Sequence, residues 1–314
     1  MSSIERVAVI GAGSAKGQDY ITALLERSND VKIVAIVINK NMPAKLQEWA
    51  TTYDWKVIKD GKIDELDDVQ FDTAIIALPH DQHHAVTKAL LSQRRHLIKE
   101  KPLAMTLDNA KEYHAPIFTT VQRSTHPLFV QAKKDLEQIG KPISFSYTYT
   151  FNLPGQTSGW RADPEKSGGG VVLDMGYHAI DVLIDFFGEP TSCQTEFGYK
   201  YDQMKELKLE DSSRTVFGFD GFTGTLILDR HADSREERFV IQGEHGTIEL
   251  TPTSYELKVV NQAPKRLELH LSKIEIIQKM FDKCLHAENE EFQRQFDRNM
   301  KNMRVIDRIY SQKQ

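Results

Sequence analysis

The sequence is poor in cysteine and lacks long apolar runs. Its 314 residues include two cysteines, Cys193 and Cys284, which are too few for a disulfide framework and lack the spacing of a metal site. No apolar run approaches the ~18 residues that a membrane-spanning helix needs. The N-terminal stretch MSSIERVAVIGAG has no basic region followed by a separate apolar region, as a signal peptide would. We therefore expect a cytoplasmic protein with no membrane partner and no bound metal.

Long runs of one charge are also missing. The 40 basic and 45 acidic residues give a net charge of −5 and are spread along the chain. This distribution predicts no nucleic-acid partner, because such an interface needs a concentrated basic patch. With 40% hydrophobic and 27% charged residues, the composition is that of a globular protein. The chain is longer than one core usually is, so we expect two domains.

The first part of the chain alternates apolar runs with amphipathic segments. The apolar runs RVAVIGAG, VKIVAIVI, FDTAIIALP and HLIKEKP are typical of strands, and the segments between them, such as HHAVTKALLSQ, are typical of helices. Continuous apolar strands separated by helices indicate a parallel sheet that is covered on both faces. Residues 1–122 are therefore predicted to form a doubly wound α/β domain of the Rossmann type, which binds dinucleotides.

Residues 123–314 show a different pattern. Alternating runs such as ISFSYTYTF, RTVFGFDGFTGTLIL and ERFVIQGEHGTIEL predict half-buried strands of an antiparallel sheet, with a helix against one face. The segment from about Ile274 to Tyr310 is predicted to be helical. We expect this second domain to bind the substrate.

A glycine-containing turn follows the first predicted strand and precedes a helix. Backbone N–H groups of such a turn bind a pyrophosphate at the amino end of the helix. Lys16 replaces the third glycine of the G-x-G-x-x-G pattern and Gly17 comes one residue late, so a plain strand–turn–helix connection is the alternative. The predicted cofactor contacts in this turn are Gly11, Gly13, Ser14, Ala15 and Lys16.

The second predicted strand ends without an acidic residue. A carboxylate at this position holds the ribose 2′-hydroxyl of NAD, whereas this chain has Asn39 and Lys40. A lysine attracts a 2′-phosphate, so the pattern favours NADP, with Lys40 or Lys16 contacting the phosphate and NAD as the alternative cofactor. The competing interpretation is that Lys40 is an ordinary solvated loop lysine.

The fourth predicted strand ends in Glu100-Lys101-Pro102. Ligands of open α/β sheets lie beyond the carboxyl ends of the strands, which places Lys101 where a nicotinamide is expected. Its ammonium group would stabilise negative charge that develops on a substrate oxygen. A plain strand end is the alternative interpretation of the same three residues.

The stretch GGGVVLDMGYHAIDVLIDFFG runs from Gly168 to Gly188 and combines glycines, an apolar helix and acidic residues. Asp174 and His178 are four residues apart and share a helix face, which Asp181 and Asp185 continue. A solvated helix face is the alternative, but the stripe contains no Lys, Arg, Glu or Gln, and the glycines permit close approach of a ligand or backbone. We predict that Asp174 and His178 are catalytic, and that Asp181 and Asp185 are structural or face solvent.

Four further residues are candidate substrate contacts. Trp160 and Arg161 precede the glycines, Tyr177 adjoins His178, and Arg123 opens the second domain. A structural ion pair is the competing interpretation for Arg161, and core packing is the competing interpretation for Tyr177.

The order of these motifs resembles the Gfo/Idh/MocA family, which includes glucose-fructose oxidoreductase and inositol dehydrogenase. The glycine-containing turn, ALPHDQHH, EKPLA and GGGVVLDMGYHAID follow the family's order, and the resemblance covers nearly the whole chain. It implies a Rossmann domain followed by an α/β domain with a large, mostly antiparallel open sheet. Members often assemble through this sheet, so we expect a homodimer or homotetramer.

The resemblance also implies the chemistry. Hydride would pass between NAD or NADP and a secondary alcohol or ketone of a sugar, cyclitol or related polyol. Lys101, Asp174 and His178 would be catalytic, and further cofactor contacts would be Leu78, Pro79, His83, Glu100 and Lys101. Two alternatives stay open: an NADP-binding sensor without turnover, and an oxidoreductase that acts between two sugars with a tightly bound cofactor.

Overall fold

The computed structural model describes residues 4–39, 42–92, 96–153, 158–285 and 287–313. The chain divides into two compact units. Unit 1 consists of Met1–Ala104, Asp108–Thr120 and Ser272–Asp297, and unit 2 consists of Met105–Leu107, Val121–Leu271 and Arg298–Gln314.

Strands and helices alternate early in the chain, and strands dominate later. The strands are β1 (Glu5–Ile10), β2 (Val31–Val37), β3 (Lys56–Ile58), β4 (Thr73–Ile76), β5 (His96–Glu100), β6 (Ile117–Thr120), β7 (Pro142–Asn152), β8 (Ser192–Gly198), β9 (Ser212–Phe219), β10 (Phe222–Asp229), β11 (His231–Gly243), β12 (Gly246–Leu250), β13 (Ser254–Val259) and β14 (Lys265–Glu268). The α-helices are α1 (Ala15–Leu25), α2 (Ala44–Thr52), α3 (His80–Leu91), α4 (Leu107–Lys111), α5 (Pro127–Asp135), α6 (Pro164–Ser167), α7 (Tyr177–Phe187), α8 (Asp202–Glu206), α9 (Lys273–Cys284) and α10 (Asn289–Tyr310).

The sheet of unit 1 is parallel, with the strand order β3-β2-β1-β4-β5-β6. This confirms the predicted doubly wound sheet. The strands β1, β2, β4 and β5 correspond to the four predicted runs, and their burial explains why those runs are apolar throughout. The strands β3 and β6 are additional, because three or four residues carry too little of a periodic pattern to be recognised.

The prediction of helical structure from about Ile274 to Tyr310 is confirmed by α9 and α10. These are two separate helices, because the backbone is extended at Leu285 after α9 ends. Ser272 and Glu275 form a capping box that begins α9, which satisfies N–H groups of its first turn.

Helix α9 belongs to unit 1 although it lies far along the chain. Its Ile277, Met280 and Phe281 are buried, and the Phe281 ring lies 5.6 Å from that of Tyr20 in α1. The predicted division between residues 122 and 123 does not include this return of Ser272–Asp297. Packing between helices that are distant in sequence leaves no local signal, so the pattern alone does not reveal it.

Unit 2 is built on one sheet with the strand order β14-β13-β12-β11-β7-β10-β9-β8. The pair β7 and β10 is parallel, and the other neighbouring pairs are antiparallel. This confirms the predicted α/β architecture with a large, mostly antiparallel sheet.

The two faces of this sheet differ in burial. Leu226 and Leu228 of β10 are buried, whereas Ile227 between them is 39% exposed. We refer to the side of Leu226 and Leu228 as the inner face and to the side of Ile227 as the outer face. Phe187 at the end of α7 stacks on Phe145 with ring centroids 5.5 Å apart, and it also contacts Phe239. Aromatic side chains therefore join α7 to the sheet.

Truncating Phe239 tests the contribution of this aromatic packing. Phe239 is fully buried, so Phe239→Ala is expected to lower the free energy of unfolding of unit 2 by about 3–5 kcal/mol through lost contacts and the cavity left behind. Val260→Ala, in an exposed turn, is the control and should change it by less than about 0.5 kcal/mol. Urea unfolding followed by circular dichroism measures both values, and equal effects of the two variants would contradict the assignment.

Candidate functional site

The turn between β1 and α1 brings three backbone segments together. Gly11 has φ of +81°, and a Cβ atom there would lie under 3.0 Å from the Ala77 carbonyl oxygen after β4. Glycine is therefore required at this position for both reasons. The Ser14 hydroxyl caps α1 by accepting the Gly17 N–H at 2.9 Å, and it donates to the Ala77 carbonyl oxygen at 3.1 Å.

Gly17 supplies the close approach that the glycine pattern requires of its third member. A Cβ atom at Gly17 would lie under 3.0 Å from the Gly11 carbonyl oxygen. Although Lys16 replaces the third glycine of the pattern, α1 still packs tightly against the turn because Gly17, one position later, takes the place of that glycine. This close approach is the one that a dinucleotide-binding turn requires.

A cavity of about 300 Å³ opens beside this turn. Its lining includes predicted cofactor contacts from three strand ends: Gly11 and Gly13 after β1, Asn39 after β2, and Leu78 and Pro79 after β4. The full lining is Gly11, Gly13, Ser14, Ile38, Asn39, Ala77, Leu78, Pro79 and Gln82. Ala15 begins α1 next to this cavity. The amino end of α1 and the carboxyl ends of parallel strands thus meet here, as in other α/β nucleotide sites.

The end of β2 carries Asn39, whose side-chain amide donates to the Gln82 side chain at 2.7 Å. Asp60 and Asp81 line a neighbouring cavity of about 450 Å³ together with Asn39. Their carboxylates oppose a phosphate group in this cavity. Lys40, the predicted partner of a 2′-phosphate, lies outside the described residues.

Lys16 is held at the other end of the turn. Its ammonium lies 3.3 Å from the Glu100 carboxylate at the end of β5. The buried Tyr20 hydroxyl donates to the same carboxylate and lies 3.0 Å from the Thr120 hydroxyl. Burial and then the Glu100 charge raise the pKa of Tyr20. The carboxylate of Glu100 therefore offsets the charge that Lys16 would offer to a phosphate.

Lys101 follows directly on β5 and is half-buried, and its peptide bond to Pro102 is cis. Lys99, two residues earlier, is fully buried and donates to the Leu103 carbonyl oxygen at 2.6 Å. Its ammonium lies 5.2 Å from the centre of the Tyr113 ring, and burial lowers its pKa to about 7. The buried Lys99 thus fixes the position of the backbone that follows Lys101.

His83 lies on α3 beside the same backbone. Its Nε2 atom is 2.8 Å from the Leu78 carbonyl oxygen, and Nδ1 is 3.4 Å from that of Pro102. Burial, followed by the charge of Lys99, lowers the pKa of His83 well below its usual value. A neutral imidazole has one N–H to give, and the shorter distance assigns it to Leu78. His83 therefore positions the cavity wall and the backbone after Lys101 rather than contacting solvent.

In unit 2, the three glycines precede a π-helical turn, Val172–Gly176, that leads into α7. A Cβ atom on Gly170 would lie under 3.0 Å from the Glu210 carbonyl oxygen. The Val171 N–H donates to that oxygen at 2.9 Å, and the Val172 N–H donates to the Glu210 carboxylate at 3.0 Å. The glycines thus permit the close backbone approach that their pattern suggested.

Asp174 lies in the π-helical turn and His178 in the first turn of α7. A shared face for Asp174 and His178 requires a regular α-helix, and the wider π turn changes the angle between the two side chains. Both side chains are half-buried. Arg161 donates from Nε to Asp174 at 2.8 Å, and its guanidinium lies 4.2 Å from the centre of the Trp160 ring. The structure therefore brings two predicted substrate contacts to a predicted catalytic carboxylate.

Asp181 and Asp185 share Arg298 as a partner. Arg298 Nε lies 2.9 Å from Asp181, and Nη1 lies 2.8 Å from Asp185. Asp181 is fully buried, and that burial raises its pKa to about 6 against the attraction of Arg298. This arrangement agrees with the structural role predicted for these acids. The alternative, that they face solvent, is wrong for Asp181 because its side chain is buried.

Two other predicted substrate contacts lie in the interior of unit 2. Tyr177 is fully buried, and its hydroxyl donates to the Asn299 side chain at 2.8 Å. Arg123 forms two bonds to the buried Glu237 carboxylate, at 2.5 and 2.6 Å. Although burial opposes its charge, Glu237 raises the pKa of Arg123. These partners give both residues a structural role in place of a substrate contact.

Lys99 and Gly17 are functional candidates beyond the predicted set. Lys99 interrupts the apolar run HLIKEKP, and a charge in the middle of a buried parallel strand is a usable signal. Gly17 carries no signal of its own under a fixed G-x-G-x-x-G spacing. Among the residues that the structure describes, no three His, Cys, Asp or Glu side chains are grouped to hold a metal, and no helix has the length and apolarity to cross a membrane.

Adding a methyl group at Gly17 tests the built turn. In Gly17→Ala, α1 must move away from the Gly11 carbonyl, so NADH affinity is expected to fall about tenfold or more. Thr22→Ala, on the same helix, should leave it within about twofold. Fluorescence titration with NADH measures both affinities. Unchanged affinity in a folded Gly17→Ala protein would contradict the assignment of the turn.

The buried ammonium of Lys99 predicts a pH-dependent stability. Its pKa falls from 10.5 in the unfolded chain to about 7 in the folded protein, so between these values the unfolded chain binds the extra proton. The free energy of unfolding should therefore rise from pH 7 to pH 9 by about 2 kcal/mol more in the wild type than in Lys99→Met. Lys32→Met, at an exposed lysine of β2, is the control. If the free energy of unfolding of the wild type minus that of Lys99→Met does not change between pH 7 and pH 9, Lys99 remains charged in the folded protein.

Comparisons with known proteins agree with this geometry. The family described as "Oxidoreductase family, NAD-binding Rossmann fold" matches residues 5–120. The domain described as "GFO/IDH/MocA C-terminal domain" matches residues 129–249.

Curated relatives and solved structures extend these matches. An uncharacterized oxidoreductase of Schizosaccharomyces pombe is 27% identical over 202 residues, which is 59% of this chain and 54% of that protein. Levoglucosan dehydrogenase of Pseudarthrobacter phenanthrenivorans is 28% identical over 57% of this chain and 47% of that enzyme. The matched part thus spans about half the length of these relatives.

The structure of a levoglucosan dehydrogenase in complex with NADH superposes with a TM-score of 0.83, at 18% identity, over 98% of this chain and 96% of that chain. This likeness shows a shared fold. The two domain matches, in chain order, together with the fold of both units, confirm the resemblance seen in the motifs: the chain belongs to the Gfo/Idh/MocA family of oxidoreductases.

Proposed function

We propose that this protein is an NAD- or NADP-dependent oxidoreductase that transfers hydride to or from a secondary alcohol or ketone of a sugar, cyclitol or related polyol. The observation that carries the proposal is the cavity beside Gly11 and Gly13, whose turn is shaped by close backbone contacts. Lys101 directly follows β5 of the same parallel sheet. Unit 2 of the same chain carries Asp174 and His178.

The residues present fit a dinucleotide. The turn needs glycine at Gly11 because its backbone nearly touches the Ala77 carbonyl, and the amino end of α1 offers N–H groups and a positive dipole to a pyrophosphate. Leu78 and Pro79 supply an apolar wall to the cavity. These features support a bound nucleotide.

When bound, the nicotinamide would accept or supply the hydride. In the proposed reaction, His178 takes the proton of the substrate hydroxyl during oxidation and returns it during reduction. Lys101 donates to the same oxygen and stabilises the negative charge that develops there. Asp174, held by Arg161 at 2.8 Å, orients the imidazole or binds a neighbouring substrate hydroxyl.

The substrate class rests on the family and on the polar groups of unit 2. A levoglucosan dehydrogenase and a 1,5-anhydro-D-fructose reductase are among the relatives, and the site combines a carboxylate, a guanidinium and an imidazole that suit hydroxyl groups. The missing acid after β2 still favours NADP. Asp60 and Asp81 and the pairing of Lys16 with Glu100 favour NAD instead.

Assembly and location belong to the same proposal. The outer face of the unit 2 sheet exposes the apolar side chain of Ile227, which is 39% exposed. We propose that a second copy covers this face in a homodimer or homotetramer. The cysteines Cys193 and Cys284 are both free thiols, which suits the reducing cytoplasm.

Replacement of His178 tests the proposed reaction. The purified protein is screened with sugars, cyclitols and sugar acids while nicotinamide absorbance is followed. His178→Asn should lower kcat about 10²–10⁴-fold because the proton acceptor is lost, and NADH or NADPH affinity should stay within about twofold. His245→Asn, at an exposed histidine of unit 2, is the control and should keep full activity.

The same experiment separates the alternatives. An absence of turnover across the panel, with cofactor binding intact in wild type and variant, would favour the sensor. Nucleotide that survives purification and is reduced by one sugar and oxidised by another would favour reaction between two sugars with a bound cofactor.

A further inference from the structure

Arg230 carries a buried guanidinium. It follows β10 and is 1% exposed, and none of its three guanidinium nitrogens has a hydrogen-bond partner in the part of the chain that the structure describes. Burying an unpaired charge is costly, and proteins rarely do so without a compensating group. The buried Arg123, by contrast, meets the carboxylate of Glu237 with two bonds. The charge of Arg230 therefore requires a partner from outside the described side chains.

The carboxylates that adjoin Arg230 already have other donors. Asp211 lies opposite Arg230, whose N–H donates to the Asp211 carbonyl oxygen at 3.1 Å. The Asp211 carboxylate accepts the Lys200 N–H at 3.0 Å and lies 3.2 Å from His231 Nε2. The Asp229 carboxylate accepts the His231 N–H at 2.7 Å. These acids are therefore committed to the backbone and to His231 rather than to the guanidinium.

The position of Arg230 is close to the turn that carries Asp174. A Cβ atom on Gly176, two residues after Asp174, would lie 2.7 Å from the Leu228 side chain. Leu228 is two residues before Arg230, a distance of ~7 Å along a strand. The glycine segment before the turn also lies on this region, because the Val171 N–H bonds to the carbonyl of Glu210, the neighbour of Asp211. Arg230 thus lies at the end of the inner face beneath the candidate catalytic turn.

A second polar group without a partner lies on the same face. The Ser213 hydroxyl is buried and has no hydrogen-bond partner among the described residues. Ser213 pairs with Leu228 across β9 and β10, and directly opposite residues of an antiparallel pair project to the same face. A guanidinium and a hydroxyl without partners, at neighbouring positions, form a donor set for a negatively charged oxygen group.

We propose that Arg230, together with Ser213, binds a carboxylate of the substrate, so that the substrate is a sugar acid or related polyhydroxy acid. This inference rests on the proposed function, which makes the bound anion a substrate. The planar guanidinium matches the two oxygens of a carboxylate. A doubly charged phosphate fits less well, because Asp211 and Asp229 adjoin Arg230 and would repel the second charge.

Binding measurements with Arg230 variants test the site. The probes are D-gluconate, D-glucuronate and D-galacturonate, with D-glucose and inorganic phosphate for comparison, and isothermal titration calorimetry gives their Kd values. At least one acid should bind the wild type more tightly than D-glucose and phosphate do. Arg230→Met should weaken that acid about tenfold or more, and Arg230→Lys should weaken it less. Arg214→Met, the same change at an exposed arginine of β9, should leave it within about twofold.

Thermal unfolding of the ligand-free variants provides a second measurement. Removal of an unpaired buried charge should leave the Tm of Arg230→Met equal to or above that of the wild type. A lowered Tm with unchanged acid affinity would overturn the proposal and make Arg230 structural. Failure of every acid to bind the wild type would also overturn it, as would tighter binding of phosphate that depends on Arg230.

These outcomes are separate from those of the proposed reaction. Arg230-dependent acid binding without any hydride transfer would uphold the carboxylate site and contradict the oxidoreductase function. Turnover of neutral polyols that Arg230→Met leaves unchanged would uphold the function and contradict the site.

Discussion

The segment that carries Asp174 depends on one buried residue, Glu210. A helix leaves its first N–H groups without partners in the helix itself, and here those groups are satisfied by Glu210, which precedes β9, and by Tyr310 of α10. Val171 bonds to the Glu210 carbonyl and Val172 to its carboxylate, while the Tyr310 hydroxyl accepts the Leu173 N–H and donates to the same carboxylate. The glycines before the turn let the backbone come close enough for these bonds. A polar anchor of this kind fixes the turn where a flexible loop end would not, as the catalytic role proposed for Asp174 requires.

Unit 1 achieves the same kind of precision with backbone contacts. The turn at Gly11 lies against the carbonyl of Ala77, Gly17 lies against Gly11, and the hydroxyl of Ser14 joins the helix to the same Ala77 carbonyl. Near Lys101, the buried Lys99 donates to the Leu103 carbonyl oxygen and the neutral His83 donates to that of Leu78. Lys101, which is itself half-buried, thus lies against side chains that solvent does not reach.

The sequence allowed much of this arrangement to be predicted, and the failures have physical causes. The alternation of strands and helices and the motifs at Gly11, Lys101 and Asp174 identified the parallel sheet, the antiparallel sheet and the family, because these features are local in sequence. The π-helical turn before α7, the return of α9 to unit 1 and the partners of Tyr177 and Arg123 depend on contacts between distant segments. A polar residue in an apolar run, such as Lys99, can be noticed from the sequence, but its role becomes clear only when its acceptor is known.

The buried charges of unit 2 separate structural residues from a candidate binding residue. Asp181 meets Arg298, and Arg123 meets Glu237, so each of these charges is compensated within the chain. Removing one partner of such a pair leaves the other charge buried and alone, and this makes the pairs costly to break although they add little net stability. Arg230 differs because its guanidinium already lacks a hydrogen-bond partner among the residues that the structure describes. Burial of this guanidinium lowers the stability of the fold at the edge of a candidate active site. Stability and function often oppose each other at such sites, so this loss of stability supports a binding role for Arg230.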